Sequence, residues 1–170
     1  MAPDKIILAR PRGFCAGVQR AIMAIEETLR VRNSPVYCFR EIVHNRYVVD
    51  DFRKRGVQFV ENISDIPRGA TVIFSAHGVA PEVRRQAAQR ELTIIDATCP
   101  FVNKVHAEVK NYAAAGYTIL LVGHRHHDEV IGVAGEAPAH IRVIENKKEA
   151  ENIKLDEPTR VAVVTQTTLS

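Results

Sequence analysis

Two cysteines stand in matching surroundings. Cys15 lies in Pro11-Arg12-Gly13-Phe14-Cys15-Ala16-Gly17 and Cys99 in Asp96-Ala97-Thr98-Cys99-Pro100. Gly13 and Gly17 let backbone approach a bulky group closely. Each cysteine directly precedes a helical pattern, whose N-terminal dipole favours negative charge beside it, and Pro100 suits a first helical position. A Cys-Pro pair also closes a bacterial ferredoxin ligand run. Such residues offer thiolate ligation; the other reading is a pair of small buried hydrophobes. Their equivalent positions at two strand ends favour ligation. Cys38 sits inside a strand pattern with no glycine or helix start beside it, and reads as core.

Of seven histidines, His44, His77 and His127 fall at strand-to-helix turns, in Val43-His44-Asn45, Ser75-Ala76-His77-Gly78 and Gly123-His124-Arg125-His126-His127-Asp128-Glu129. Imidazolium donors beside helix N-termini make a site for a phosphate-type anion. The run at His124, His126 and His127 could instead hold a metal, although adjacent histidines on one turn rarely all converge. His106, mid-helix, and His140, beside a strand start, read as structural. Glu129 is either a proton donor or a solvated first-turn acid. The segment Thr165-Gln166-Thr167-Thr168 alone passes for a polar turn or helix cap.

These segments need elements to position them. Short β-branched runs at Ile6–Ala9, Val36–Phe39, Val57–Val60, Thr71–Phe74, Leu92–Ile95, Tyr117–Val122, Ile141–Ile144 and Val161–Val164 read as strands. Helical patterns cover Ala16–Arg30, Arg46–Arg55, Pro81–Arg90, Val102–Ala115, Glu129–Ala134 and Lys147–Asn152. The alternation predicts an α/β fold of βαβ units with mostly parallel sheets. Gly56 and Gly116 follow helical stretches, as helix-ending glycines do. With no linker-like composition, a boundary is placed near Leu92–Asp96, giving a first unit over 1–95 and a second over 96–170. A loose echo supports two related units: Ile6–Ala9 leads to Cys15 and a helix, as Leu92–Asp96 leads to Cys99 and a helix. Ligands of such sheets bind outside the carboxyl ends of the strands, where all these segments fall.

Composition sets the remaining limits. The chain has 170 residues, 46% of them hydrophobic, enough for one medium or two small domains. The net charge of +3 is dispersed, a weak argument for nucleic acid and an equally good fit to a small anion. No stretch approaches the ~20 apolar residues of a membrane span, and the start lacks a signal-peptide pattern. A cytoplasmic, reducing setting is expected, where three widely spaced cysteines make a poor disulfide framework.

Pro-Arg-Gly-Phe-Cys-Ala-Gly, Glu-Ile-Val-His-Asn-Arg-Tyr-Val-Val, Phe-Ser-Ala-His-Gly-Val, Asp-Ala-Thr-Cys-Pro, Gly-His…His-Asp-Glu-Val and Thr-Gln-Thr-Thr-Leu-Ser run in order along the whole chain. Together they closely resemble the 4-hydroxy-3-methylbut-2-enyl diphosphate reductase family. The resemblance implies a [4Fe–4S] cluster with Cys15 and Cys99 as two of its three thiolates. It implies His44, His77 and His127 as ligands of the substrate diphosphate, Glu129 as the proton source, and Thr167 as the hydroxyl that positions the substrate alcohol and relays a proton. The products would be isopentenyl and dimethylallyl diphosphate, and the electron donor reduced ferredoxin or flavodoxin.

The family also implies three α/β units around a central cavity, each giving one cysteine. The third unit, with the third cysteine, does not occur before Ser170. The expectation is that the 170-residue chain alone holds no stable cluster and shows no turnover. A catalytically inactive fragment that at most binds diphosphate weakly is the alternative, and a zinc protein ranks last because no close cysteine pairs occur. Asp128 stands where many members have proline, and is expected to raise the proton affinity of Glu129 by like-charge repulsion.

Overall fold

Val-Tyr-Cys-Phe at 36–39 and Thr-Val-Ile-Phe at 71–74 are apolar on both faces, and strands of that kind belong in parallel sheets covered on both sides. The computed structural model, which describes residues 5–32, 34–155 and 160–169, places them at the centre of such a sheet. In chain order the elements are α1 (Ala16–Val31), β1 (Val36–Phe39), α2 (Arg46–Lys54), β2 (Val57–Val60), a 3₁₀ turn (Ile63–Asp65), β3 (Thr71–Phe74), α3 (Pro81–Gln89) and β4 (Thr93–Asp96). There follow α4 (Pro100–Ala114), β5 (Thr118–Val122), α5 (Asp128–Ala134), β6 (Ile141–Ile144), α6 (Lys147–Glu151) and β7 (Val161–Thr165). One sheet has the order β2-β1-β3-β4 and the other β6-β5-β7. All pairings are parallel. The molecule is therefore two α/β units.

Alternation along the central strands assigns the cores. Val36, Cys38 and Ile73 face α1 and α2, meeting Ala21, Ile25 and Phe52. Tyr37, Phe39, Val72 and Phe74 face the other way, onto Ile63, Ile66 and α3's Ala87. In the second sheet Ile119 and Leu121 pack with Val109 of α4 and Val130 and Val133 of α5. Pro100 opens α4 at its first position, where a missing N–H is no loss. Gly56 and Gly116 adopt φ of 91° and 74° after α2 and α4, left-handed conformations that favour glycine.

One expected strand is not formed. Ile6–Ala9 has no hydrogen-bonded strand partner among the described residues, and Ile6, Ile7 and Leu8 are 78%, 78% and 66% exposed. Strand preference is a preference for a pleated, half-buried surface, and it gives a strand only where a neighbouring edge offers hydrogen bonds and cover. The Cys15 half of the echo therefore rests on its helix alone.

Helix α5 seats against the first unit through glycine. A Cβ on Gly132 would lie 3.5 Å from the carbonyl carbon of Gly78, whereas one on Gly135 would lie 2.6 Å from the Cβ of Ala80. Gly132→Ala is therefore expected to be neutral or to stabilise by up to about 1 kcal/mol through helix propensity. Gly135→Ala, at an ordinary helical φ of −66°, is expected to cost about 1–3 kcal/mol through overpacking. Urea unfolding of the two variants checks the contrast, and equal midpoints would contradict this seating of α5.

Candidate functional site

In open parallel sheets a crevice opens where adjacent strands connect outward in opposite directions. The first sheet has this point between β1 and β3, since β2 lies on one side and β4 on the other; the second has it at β5, between β6 and β7. The loops after these strands carry His44, His77, His127 and Thr167. Local hydrogen bonds aim them. The side chain of Asn45 accepts from the Val48 N–H at 3.3 Å, capping α2 directly after His44. After β4, the Asp96 carboxylate accepts from the Thr98 N–H at 3.0 Å and the Thr98 hydroxyl at 2.5 Å, an Asx turn that delivers Cys99 to the start of α4. The Cys99 N–H then donates to the Ala76 carbonyl at 3.0 Å, tying it to the His77 loop.

The three turn histidines form one cluster. The rings of His44 and His77 stack with centroids 4.0 Å apart, and His127 stands edge-on to both, at 4.8 and 5.5 Å. His127 Nδ1 accepts from the Glu129 N–H at 3.1 Å, which puts the ring proton of neutral His127 on Nε2. That nitrogen lies 2.9 Å from His44 Nε2 and donates to it. Burial, helped by the neighbouring His44 and His127, pushes His77 down from 6.5 to about 3. Burial, with His44 and His124 nearby, also lowers His127. Of the imidazolium donors expected from sequence, His77 and His127 are thus biased toward the neutral form, first by burial and second by the charge of neighbouring rings. An anion among them would reverse the sign of that interaction.

Glu129 is 1% exposed. One carboxylate oxygen accepts from the Thr167 N–H at 2.6 Å and the other from the Thr167 hydroxyl at 3.0 Å. Burial raises its pKa, and the two Thr167 hydrogen bonds and nearby His106 partly offset the rise. Gln166, 4% exposed, braces this loop by donating to Thr168 Oγ1 at 2.9 Å and accepting from the His124 N–H at 3.0 Å.

The cysteines cap α1 and α4, and both sulfurs face the bare backbone of Gly17. A Cβ there would lie 2.6 Å from Cys99 Sγ and 3.9 Å from Cys15 Sγ. A cavity of about 640 Å³ opens above them, walled by His44, His77, Glu129 and Thr167, with Phe14 and Phe101 also lining it. Its apolar lining and convergent polar groups are those of a small-molecule site.

The comparisons agree on one kinship. A family model described as LytB protein matches residues 6–170. A 4-hydroxy-3-methylbut-2-enyl diphosphate reductase of Rhodopirellula baltica is 52% identical over 170 residues, covering 100% of this chain and 53% of that protein. One from Chlamydia felis is 54% identical over 166 residues, covering 98% and 54%. The solved structure of the Plasmodium falciparum E-1-hydroxy-2-methyl-but-2-enyl-4-diphosphate reductase superposes with a TM-score of 0.92 at 43% identity, covering 95% of this chain and 51% of that one. The chain belongs to the LytB family. It spans about half the length of the curated relatives it matches.

Within this LytB chain, the seven residues singled out from sequence converge. Six line one cavity, and the seventh, His127, touches His44. His106 lies apart, buried with its Nδ1 2.7 Å from Glu136, and the His140 ring bonds the Tyr117 carbonyl at 3.1 Å. Cys38 is fully buried in the first sheet, and burial pushes its thiol up. Among the described residues no group of three or more His, Cys, Asp or Glu is arranged to hold a metal ion. No helix among the described residues is long and apolar enough to cross a membrane.

Asp128 does something other than expected. Its carboxylate pairs with Arg40, and the influences on Glu129 are burial, Thr167 and His106 rather than Asp128. Sequence reading also missed Asn45, Phe14, Phe101 and Thr168 as cavity-lining residues. Their adjacency to Cys15, His44, Cys99 and Thr167 was the available signal.

The depressed histidines have a consequence for stability. Between about 3 and 6.5, unfolded His77 binds a proton that folded His77 refuses, so stability rises with pH across that window and falls on acidification. His127 acts in the same direction. Urea unfolding between pH 7 and pH 5 is expected to show stability falling by up to about 1.4 kcal/mol per pH unit for one such group. His77→Asn is expected to flatten that slope, and an unchanged slope would remove His77 from the account.

Proposed function

We propose that this chain carries the substrate- and proton-handling machinery of an iron–sulfur reductase. The reaction is reductive dehydroxylation of 4-hydroxy-3-methylbut-2-enyl diphosphate to isopentenyl and dimethylallyl diphosphate. The observation that supports this reading is the convergence of His44, His77, a buried acid–hydroxyl pair and two cysteines on one cavity, with His127 packed against His44. The named activity of the relatives points the same way. We divide the chain near Leu92–Asp96, residues 1–95 supplying Cys15, His44 and His77 and residues 96–170 the rest.

Cys15 and Cys99 would be two ligands of a [4Fe–4S] cluster. Gly17 lets both sulfurs lie close to backbone, and the cavity of about 640 Å³ that Cys15, Gly17 and Cys99 line has room for a bulky group beside them. Bound there with an open iron, such a cluster would supply electrons and a Lewis acid for the hydroxyl. Cys38 is enclosed by core side chains and is not a ligand. Reduced ferredoxin or flavodoxin, both acidic, are the assigned donors, and the net charge of +3 is compatible with docking either.

His44, His77 and His127 hold the diphosphate, so that the allylic alcohol is presented to the cysteine end of the cavity. Seating the anion draws protons onto the rings, turning them into charge-assisted donors. Glu129 holds the proton that leaves with the hydroxyl as water, and the allylic fragment, reduced by two electrons, takes a second proton at either end to give the two products. The raised pKa of Glu129 suits its task, since a general acid works best near the operating pH. Thr167 serves both states of the acid. While Glu129 is ionised, the Thr167 hydroxyl donates to it at 3.0 Å. Once Glu129 is protonated, it donates to Thr167 Oγ1 and frees the hydroxyl hydrogen for the substrate oxygen.

Calorimetry with inorganic pyrophosphate tests the anion site. Binding is expected to take up protons, so the measured heat should vary with the ionisation enthalpy of the buffer. His44→Asn, His77→Asn and His127→Asn should each weaken it about 10–100-fold, the loss of one charged hydrogen bond. No binding, or variants that bind like the parent, would overturn the assignment. Iron and sulfide counted after anaerobic reconstitution, in the parent and in Cys15→Ser and Cys99→Ser, test the cluster. Pyrophosphate binding without iron uptake would favour a diphosphate-binding chain without reductase activity.

A further inference from the structure

Arg40 and Asp128 are joined by an ion pair across 88 residues of sequence. Arg40 comes directly after β1 and has a φ of 60°. That left-handed conformation costs a residue with a Cβ about 1–2 kcal/mol. It is held there by its N–H, which donates to the Val60 carbonyl at 2.8 Å. The guanidinium lies over the Phe39 ring at 5.5 Å, reaching from the edge of the first sheet to α5. Both side chains are largely shielded, at 28% and 17% exposure, so the pair is not an ordinary solvated surface bridge.

Its position in the chain gives it meaning. Asp128 lies between His127 and Glu129, and Arg40 opens the segment that ends in His44 and Asn45. The same two segments meet again where His44 Nε2 and His127 Nε2 stand 2.9 Å apart. Among the described residues, these are the two polar ties between the α5 segment and the first unit. Elsewhere α5 sets Gly132 and Gly135 against Gly78 and Ala80, with Ile131 lining a small gap shared with Phe39, Val79 and Val83. Such a contact permits close approach, but apolar packing is non-directional and fixes register less sharply than a polar tie. A shielded ion pair is directional, and breaking it strands a charge, so it can specify one register where packing does not.

We infer that the Arg40–Asp128 pair is the latch that sets the register of α5 on the first unit. Arg40 and Asp128 are thereby positioning residues for the cluster of His44, His77 and His127. This rests on the anion-site reading for its functional consequence, but not for the latch itself.

The test uses Arg40→Gln, Asp128→Asn, the double neutral variant, and the charge swap Arg40→Asp with Asp128→Arg. Aspartate tolerates a left-handed φ better than most residues, so the swap keeps the backbone at position 40. Two readouts apply: imidazole ¹⁵N–¹H spectra with no anion added, and pyrophosphate affinity by calorimetry. Each neutral single variant is expected to move the ring signals of His44 and His127 and to weaken pyrophosphate binding about tenfold or more. The double neutral variant should be no worse than either single, and the swap should recover both readouts. The decisive variant is Asp128→Asn. If Arg40 served only as positive charge near the site, deleting the neighbouring acid would leave binding unchanged or tighten it. That outcome, with unmoved ring signals, would overturn the latch, as would a swap no better than the worse single. If the parent binds no pyrophosphate, the anion-site reading fails, while the ring signals still decide the latch. Thermal melts by circular dichroism identify any variant that unfolds, and recovery in the swap then carries the decision.

Discussion

Helix α5 meets the first unit with glycine at its closest points of approach, and the arrangement of the site depends on it. Gly135 leaves no room for a methyl against Ala80, and Gly132 faces Gly78 one turn back. Because these backbones come so close, the residues at the head of α5 cross into the territory of the first sheet. His127 can then reach His44, and Glu129 sits walled in beside Thr167 with 1% of its surface exposed. A helix carrying ordinary side chains on that face would stand several ångströms further off, beyond hydrogen-bond reach for His127 and His44.

Close approach has an electrostatic consequence. Burial and neighbours depress His77 to about 3 and lower His127, while burial raises Glu129. All three shifts favour the neutral forms, so the cavity resists charge of either sign when nothing compensates it. An occupant with concentrated negative charge at the histidine end would change this balance by favouring the protonated rings. On the proposed anion-site reading, recharging the rings would offset part of the desolvation that folding imposed on them and favour charged groups over neutral isosteres. The carboxyl of Glu129, held by an N–H and a hydroxyl of one residue, keeps its orientation in either protonation state.

How much of this was legible in the sequence follows from how each feature is encoded. His44, His77, Cys99, His127 and Thr167 could be placed because each directly follows a strand run, and strand ends in parallel sheets gather on one edge. Glycines beside Cys15 marked a close approach, and Gly17 indeed lies against both sulfurs. The Arg40–Asp128 pair was not legible, since no local pattern links residues 88 apart. The depressed proton affinity of His77 and His127 was also hidden, because it arises from burial and from rings brought together by separate loops. Ile6–Ala9 failed in the opposite way: its local pattern is a good strand pattern, but a strand needs an edge to join, and Ile6, Ile7 and Leu8 lie exposed.

Cys38 shows why residue type alone is a poor guide to chemistry in such a fold. It shares its thiol with Cys15 and Cys99, yet lies mid-strand, paired in register with Phe59 and Ile73. Side chains in the body of a parallel sheet point into one of two apolar layers, and Cys38 points into the layer under α1. Desolvation there pushes its thiol up, the reverse of what ligation requires. Cys15 and Cys99 sit past the ends of such layers, as the capping residues of helices, where N–H groups face outward and apolar cover stops. In a doubly covered sheet the strand body makes the core and the strand end makes the chemistry. The same residue type is inert in one place and available in the other by a displacement of only a few positions along the chain.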